Sequence, residues 1–216
     1  MLIYVVRHGE TDSNEQGALQ GWTNDPLNDF GIELAKITGK CMQGIKFDLS
    51  ISSPLIRAYD TARIILDNSG NSRTEILVDE RLKEINMGKW ECKKFRSWEC
   101  EVPENDLRSF FDNPNAFEGF PDGETLKDVC KRTQDFLMDL SFNQEYKNCN
   151  ILVSTHGCAL RCMMNFLYDD CKDFWRGHVP YNCSVSIIEV KDKKLRILSQ
   201  DKIYYDSSKC IDRYTK

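Results

Sequence analysis

The chain has 216 residues, which corresponds to one large domain or to one domain with an inserted cap. Its 29 lysine and arginine residues and 34 aspartate and glutamate residues give a formal net charge of −5, a poor match for nucleic acid. Hydrophobic residues make up 41% of the chain, enough for a core, and no apolar run approaches the roughly 18 residues of a membrane span. Nucleic-acid binding, membrane insertion and general disorder are therefore not expected.

The amino terminus and the cysteines predict the cellular compartment. The first six residues are apolar and are followed by Arg7, without the basic leader and long apolar core of a signal peptide. We therefore expect a cytoplasmic protein. The ten cysteines include no Cys-x-x-Cys pair and there are only three histidines, so we expect reduced thiols and no zinc site.

The predicted elements alternate between strands and helices along the chain. Short apolar, β-branched runs predict the strands, and apolar residues at helical spacing predict the helices. In chain order these are a strand at 2–6, a helix at 34–42, a strand at 48–52, a helix at 58–66, a strand at 76–78, a helix at 126–140, a strand at 150–154, a helix at 159–167, and strands at 184–190 and 195–199. This pattern is typical of an α/β fold, here a three-layer domain with a mainly parallel sheet flanked by helices.

Residues 91–123 break this alternation. They contain three prolines and no clear strand, and their aromatic residues include Trp98, Phe110, Phe111, Phe117 and Phe120. We interpret the segment as a small cap over the sheet edge, inserted in a single domain that covers residues 1–216. The alternative is an ordinary helical excursion.

Two of the three histidines directly follow predicted strands. His8 comes after the strand at 2–6 and His156 after the strand at 150–154, and a glycine follows each of them. A lone histidine at a strand end is usually structural, but packing alone does not explain two in matching contexts. Because ligands of open α/β sheets bind at the carboxyl ends of strands, this pair predicts a functional site.

Two arginines are expected near the same sheet edge. Arg7 precedes His8, and Arg57 begins the helix that follows the strand at 48–52. Arg57 considered alone would more often form a surface salt bridge. The planar guanidinium group suits a tetrahedral oxyanion, so the two arginines and two histidines together favour a phosphate site.

The segment Arg7-His8-Gly9-Glu10-Thr11 resembles the signature of the histidine phosphatase superfamily, in its phosphoglycerate mutase-like branch. The resemblance continues in the expected order over nearly the whole chain. It includes Asn14, Gln20-Gly21-Trp22, Pro26-Leu27, Gly31, Ser53-Pro54-Leu55, Arg57-Ala58, Thr61-Ala62, Leu82-Lys83-Glu84, Gly88-Lys89-Trp90-Glu91, Asp122-Gly123-Glu124-Thr125, Ser154-Thr155-His156-Gly157 and Asn182-Cys183-Ser184.

The resemblance implies a role for each site residue. His8 would attack phosphorus and become phosphohistidine, and Glu84 would protonate the leaving alcohol and later activate water. Partial burial of Glu84 would raise its pKa to a useful value. Arg7, Arg57 and His156 would stabilise charge on the phosphoryl oxygens. The predicted phosphate-binding and substrate-binding residues are Arg7, Asn14, Gln20, Gly21, Arg57, His156 and Gly157. His178 has no matching role and is interpreted as a loop residue.

The sequence lacks the signatures of other phosphoryl-transfer enzymes. No cysteine is followed six positions later by arginine, and there is no Gly-x-x-x-x-Gly-Lys-Ser/Thr loop. No carboxylate and histidine cluster indicates a two-metal centre. We therefore expect no metal and no organic cofactor, except that 2,3-bisphosphoglycerate would be required if the protein were a mutase.

Two enzyme activities remain open. A phosphatase, of the α-ribazole phosphatase or broad-specificity kind, would transfer the phosphoryl group to water, whereas a cofactor-dependent phosphoglycerate mutase would return it to another hydroxyl. Mutases of this family typically follow the acidic residue with arginine and tyrosine, but here Glu84 precedes Ile85-Asn86-Met87. This difference favours the hydrolase. Lys93, Lys94 and Arg96 support the mutase alternative because they could bind a carboxylate.

A third alternative is a catalytically silent binding module on the same fold. Such a protein is expected to lose part of its charged set, and here Arg7, His8, Arg57, Glu84 and His156 are all present. The expected partner is a small phosphomonoester. The aromatic residues of 91–123 favour an apolar or ring-bearing leaving group, and nothing in the sequence predicts the oligomeric state.

Overall fold

The computed structural model describes residues 1–96, 99–169 and 173–209. The strands of this part are β1 (Leu2–Arg7), β2 (Leu49–Ser52), β3 (Ile76–Val78), β4 (Asn150–Thr155), β5 (Val185–Lys191) and β6 (Lys194–Lys202). Its α-helices are α1 (Asp12–Glu15), α2 (Asp29–Cys41), α3 (Ile56–Asn68), α4 (Glu104–Asp112), α5 (Leu126–Phe142) and α6 (Gly157–Met164). Short 3-10 turns occur at Glu80–Leu82, Gly88–Trp90, Pro114–Ala116, Gln144–Tyr146, Asn165–Leu167 and Ser207–Lys209. None of these helices is long and apolar enough to cross a bilayer.

The strands form one mixed sheet in the order β3-β2-β4-β1-β5-β6. The pairings β3 to β2, β2 to β4 and β4 to β1 are parallel, whereas β5 is antiparallel to both β1 and β6. Asp192 and Lys193 join β5 to β6 with φ values of 50° and 60°, which suit a tight hairpin turn. The expectation of a mainly parallel α/β sheet flanked by helices is confirmed, with an antiparallel hairpin at one edge.

Side chains of β1 alternate between two hydrophobic cores. Ile3 and Val5 pack in a cluster that includes residues of α5 and α6, whereas Tyr4 and Val6 pack with residues of α2 and α3. Successive side chains of a strand point to opposite faces of its sheet. The central strand is therefore covered by helices on both faces, which produces the three predicted layers.

The strand register places the histidines together. Arg7 at the end of β1 pairs with Thr155 at the end of β4, so the residues that follow, His8 and His156, leave the sheet side by side. Ser52 of β2 pairs with Ser154 of β4, and Ser53 therefore emerges beside His156. The carboxyl ends of three parallel strands thus meet at one place.

The predicted cap contains one helix, α4, and no strand within residues 91–96 and 99–123. Phe110, Phe117 and Phe120 are buried in a hydrophobic cluster that also contains Trp175. Trp98, which was expected to belong to this aromatic group, lies outside the described residues. The assignment of 91–123 as a cap inserted in one domain remains a prediction.

No disulfide bond joins cysteines within the described ranges, and the reduced state of the thiols stays a prediction. Cys158, Cys162 and Cys183 are buried and behave as small core residues. Cys171 and Cys210 are outside the part of the chain that the structure describes.

Candidate active site

His8 and His156 form the centre of the site at the carboxyl edge of the sheet. Their ring centroids are 5.1 Å apart and the ring planes are inclined by 59°. His8 is 3% exposed and His156 is completely buried. The two histidines that follow predicted strands therefore lie close together, as the sequence predicts.

His8 is held as a neutral imidazole with a defined tautomer. Its Nδ1 lies 2.6 Å from the carbonyl oxygen of Gly9. A carbonyl oxygen can only accept, so Nδ1 carries the hydrogen and Nε2 retains its lone pair. Burial lowers the pKa of His8 well below its usual value, and the positive charges of Arg57 and Arg7 lower it further. Neutral Nε2 is the form that can attack phosphorus.

His156 hydrogen-bonds to the neighbouring strand end. Its Nε2 is 2.8 Å from the Oγ of Ser53, whereas its Nδ1 has no hydrogen-bond partner in the described part of the chain. Burial lowers the pKa of His156 well below its usual value, and the nearby Arg57 and His8 lower it further. His156 is therefore a neutral neighbour of His8, in a position to donate or accept a single hydrogen bond.

Arg57 is a fully buried cation that organises a surface loop. Its Nη2 donates to the carbonyl oxygen of Gly21 at 2.7 Å and its Nη1 to that of Thr23 at 2.6 Å. Burial lowers the pKa of Arg57 to about 10, and the carboxylates of Glu84, Asp25 and Glu91 oppose this effect. Arg57 remains charged at neutral pH.

Arg7 lies at the entrance to α6. Its Nη1 donates to the carbonyl oxygen of Pro180. Gly157 is the first residue of α6, and a Cβ atom there would lie 2.8 Å from the Cγ1 of Val179 and 3.5 Å from the Nε of Arg7. The absence of a side chain at Gly157 therefore allows α6 to begin directly against the guanidinium group of Arg7 and Val179.

Glu84 binds the amino-terminal end of α6. Its Oε1 accepts hydrogen bonds from the backbone N–H groups of Ile85 at 2.9 Å and Ala159 at 3.0 Å, and its Oε2 accepts from Cys158 at 3.1 Å. Burial raises the pKa of Glu84, although these three hydrogen bonds and Arg57 partly oppose the rise. This direction agrees with the expectation for a proton donor.

Asn14 and Gln20 belong to a polar network beside His8. Asn182 donates from Nδ2 to the carbonyl oxygen of His8 at 3.0 Å and to the Oδ1 of Asn14 at 3.3 Å. Gln20 accepts from the hydroxyl of Thr11 at 2.9 Å and donates to Asp25 at 2.9 Å. These bonds fix the orientation of both amides.

A pocket lies among these residues. Six of the nine predicted site residues line it, namely Arg7, His8, Asn14, Gln20, Glu84 and Gly157. Arg57, His156 and Gly21 are not among the lining residues. The ring of His156 lies 5.1 Å from that of His8, and the carbonyl oxygen of Gly21 accepts a hydrogen bond from Arg57. The rest of the wall is mainly apolar and includes Leu19, Met87, Phe110, Phe111, Trp175 and Val179.

Several residues of the site had no role in the sequence prediction. Glu91 accepts from the backbone N–H groups of Gly21, Trp22 and Met87, which joins two loops. Asn182 and Glu91 belong to segments that carry the family resemblance, which is the only sequence signal for them. Trp175, which lines the pocket, has no sequence signal.

We looked for side chains that could bind a metal ion within the described ranges. No group of three or more His, Cys, Asp or Glu side chains within the described ranges is arranged to hold a metal ion. The positive charge at the pocket comes from arginine side chains.

Comparison with known proteins identifies the family. The sequence profile of the histidine phosphatase superfamily (branch 1) matches residues 3–202. The chain therefore belongs to the histidine phosphatase superfamily, as the resemblance predicted.

Individual relatives include both types of enzyme. The chain is 31% identical over 201 residues to the adenosylcobalamin/α-ribazole phosphatase of Escherichia coli, covering 92% of this chain and 96% of that protein. It is 31% identical over 179 residues to the 2,3-bisphosphoglycerate-dependent phosphoglycerate mutase of Rhizobium meliloti, covering 76% and 78%. Among solved structures, YhfR of Bacillus stearothermophilus superposes with a TM-score of 0.84 at 28% identity, covering 94% of this chain and 97% of that one.

Proposed function

We propose that this protein is a phosphomonoester hydrolase that acts on a small phosphorylated metabolite through a phosphohistidine at His8. The observation that supports this most directly is the joint placement of His8 and Glu84 on one pocket beside Arg7. His8 is held as a neutral nucleophile, and Glu84 has the raised pKa of a proton donor. One pocket therefore contains a nucleophile, an acid and a cation, the groups that phosphoryl transfer requires.

The proposed reaction has two steps. In the first, Nε2 of His8 forms a bond to phosphorus, the bond from phosphorus to the leaving oxygen breaks, and Glu84 gives its proton to that oxygen. In the second, a water molecule loses a proton to the Glu84 carboxylate and attacks phosphorus, which releases phosphate and restores His8. Arg7 stabilises the charge on the phosphoryl oxygens, and the buried Arg57, which does not line the pocket, adds positive charge to the region.

The environment of Lys93 and Lys94 supports hydrolysis over isomerisation. Lys93 pairs with Glu101 at 3.0 Å and Lys94 with Glu99 at 2.8 Å, and neither lysine lines the pocket. The guanidinium group of Arg96 lies 5.1 Å from the ring centre of Phe95. The two lysines that would bind a second anionic group of a phosphoglycerate are thus engaged with carboxylates. The mutase remains the second candidate because of the similarity to the Rhizobium meliloti enzyme.

The apolar wall of the pocket supports a particular kind of substrate. Phe110 and Phe111 come from the predicted cap, and Met87 and Trp175 come from other segments. Apolar and aromatic surfaces of this kind bind a leaving group with matching apolar area. We therefore propose a phosphomonoester whose alcohol carries an apolar or ring-bearing group. The net charge of −5 supports a small-molecule ligand over nucleic acid, and the cytoplasmic location stays a prediction.

Trapping of the phosphoenzyme tests this function and separates it from a silent binding module. The protein is mixed with a radiolabelled phosphomonoester, quenched in alkaline detergent and digested. We expect acid-labile, alkali-stable label on the peptide that contains His8, together with release of inorganic phosphate. The variant His8→Asn serves as the control and should retain no label. Release of phosphate without label at His8 would contradict the proposed mechanism, and absence of both would favour the silent module.

A further inference from the structure

We propose that Arg132 of α5 is a positioning residue for Glu84, because it holds the main chain that carries the proton donor. The inference rests on the proposed role of Glu84. It concerns a residue that does not line the pocket and that acts through hydrogen bonds to backbone atoms.

The guanidinium group of Arg132 binds three carbonyl oxygens of the segment that leads to Glu84. Nη1 donates to the carbonyl oxygens of Arg81 at 2.8 Å and Lys83 at 2.6 Å, and Nη2 donates to that of Glu84 itself at 2.9 Å. Residues 83–87 lie between two 3-10 turns and have no strand partners to hold them. The hydrogen bonds from Arg132, together with one from the Nε1 of Trp22 to the carbonyl oxygen of Glu84 at 2.9 Å, hold this segment in place of a sheet ladder.

Glu124 completes the arrangement. Arg132 donates to it through Nε and Nη2, both at 2.9 Å, which is the two-point geometry of a strong arginine–carboxylate pair. The Oε2 of Glu124 also accepts from the backbone N–H of Asn86 at 2.9 Å. The pair thus binds backbone groups on both sides of Glu84. We call this pair, Arg132 and Glu124, the backbone clamp.

The position of the Glu84 carboxylate depends on its main chain. Its three hydrogen bonds to backbone N–H groups are between 2.9 and 3.1 Å long, and two of the donors belong to α6. A displacement of the loop by about 1 Å would lengthen the bonds to α6 beyond hydrogen-bonding distance. It would also move the carboxyl group away from the leaving oxygen, and misplacement on this scale slows catalysis strongly.

The contribution of Arg132 is geometric. Burial raises the pKa of Glu84, and its backbone hydrogen bonds and Arg57 partly oppose that rise. Lysine at position 132 would preserve the charge but not the planar group that reaches three carbonyl oxygens and a carboxylate at once. Arg132→Lys therefore removes the clamp while it keeps the net charge of the protein.

The test compares Arg132→Lys with Arg81→Lys in a series of aryl phosphates whose leaving groups differ in pKa. Arg81 is the matched control because it also links the 3-10 turn to α5, through Asp139 at 2.6 Å, but its side chain does not contact Glu84. We expect Arg132→Lys to lower kcat at least tenfold for the poorest leaving group and less than threefold for p-nitrophenol. Arg81→Lys should reduce both rates equally and slightly.

A double variant distinguishes positioning from general damage. If Arg132 acts through Glu84, then Glu84→Gln/Arg132→Lys should be about as slow as Glu84→Gln alone, because coupled residues are not additive. Equal losses for all leaving groups, or multiplied losses in the double variant, would overturn the inference. If Arg132→Lys does not fold, Glu124→Gln takes its place in the same measurements. If Glu84→Gln itself shows no dependence on the leaving group, both the acid role and the clamp are wrong.

Discussion

The imidazole rings of His8 and His156 lie with their centroids 5.1 Å apart and their planes inclined by 59°, and both side chains are buried. Burial and Arg57 hold the pKa of each well below its usual value. The folded protein therefore keeps both rings neutral at a pH where the unfolded chain would already have protonated them. This difference connects the architecture of the site to the stability of the whole domain.

We predict that the free energy of unfolding decreases as the pH falls below about 6.5, the pKa of an unfolded histidine. The unfolded state then binds protons that the folded state rejects, so each buried histidine costs on the order of 1 kcal/mol by pH 5.5. The contribution of Glu84 to this pH dependence has the opposite sign, since its pKa is raised in the folded state. Urea unfolding of the wild type and of His156→Gln at pH 7.5 and 5.5 isolates the histidine contribution. An identical pH dependence in both proteins would contradict this explanation.

Removal of the nucleophile should abolish turnover without loss of the fold. His8→Ala is expected to retain less than about a thousandth of the wild-type rate, because the covalent route would be lost. Steady-state kinetics with p-nitrophenyl phosphate and a thermal melt give the two readouts. His178→Ala, which alters a histidine outside the pocket, should be close to wild type. A higher residual rate in His8→Ala would exclude His8 as the nucleophile.

Glu84→Gln preserves the shape of the side chain but removes the transferable proton. It should slow alkyl phosphates much more than p-nitrophenyl phosphate, since a good leaving group needs little protonation. The ratio of kcat values for the two substrates is the measurement. If both decline equally, Glu84 binds substrate rather than donating a proton.

Activity should survive exhaustive treatment with EDTA, because in the proposed mechanism arginine supplies the positive charge that metal-dependent phosphatases obtain from a metal. Vanadate should inhibit, since it resembles the five-coordinate phosphoryl group and the cationic pocket should bind it. Phosphate release is measured before and after chelation. Activity that disappears in EDTA and returns with added metal would show that the metal-free mechanism is wrong.

Product partitioning tests the choice between hydrolase and mutase. The protein is supplied with 3-phosphoglycerate in the presence of 2,3-bisphosphoglycerate, and both 2-phosphoglycerate and free phosphate are followed. We expect phosphate to form faster, because neither Lys93 nor Lys94 lines the pocket and both form surface ion pairs with carboxylates. Faster formation of 2-phosphoglycerate would replace the hydrolase with the mutase.

The residues at the strand ends could be placed from the sequence because the rules involved are local. A buried apolar strand followed by His-Gly predicts where the chain leaves the sheet, and parallel register then brings His8 and His156 together. The helices that cover the sheet were found from apolar spacing for the same reason. The short polar turn Asp192-Lys193 between the two last predicted strands is also a local signal, and the structure forms an antiparallel hairpin there.

The residues that hold the loops could not be placed in this way. Arg132 and Glu91 bind backbone atoms far away in the sequence, and such contacts have no periodicity or spacing that would indicate them. Arg57 was expected to face the phosphate, but the structure points two of its nitrogens at loop carbonyl oxygens. Trp175 reaches the pocket from a segment without predicted elements.

The hydrogen bonds between Glu84 and α6 bear on how the negative charge of this carboxylate would be stabilised during the proposed reaction. The backbone N–H groups of Cys158 and Ala159 donate hydrogen bonds to the carboxylate oxygens of Glu84. In the proposed reaction Glu84 releases its proton, and the new negative charge then appears at the positive end of a helix whose dipoles are already oriented. No solvent has to rearrange around it. Burial keeps Glu84 protonated before the transfer, and the N–H groups at the start of α6 stabilise the carboxylate after the transfer.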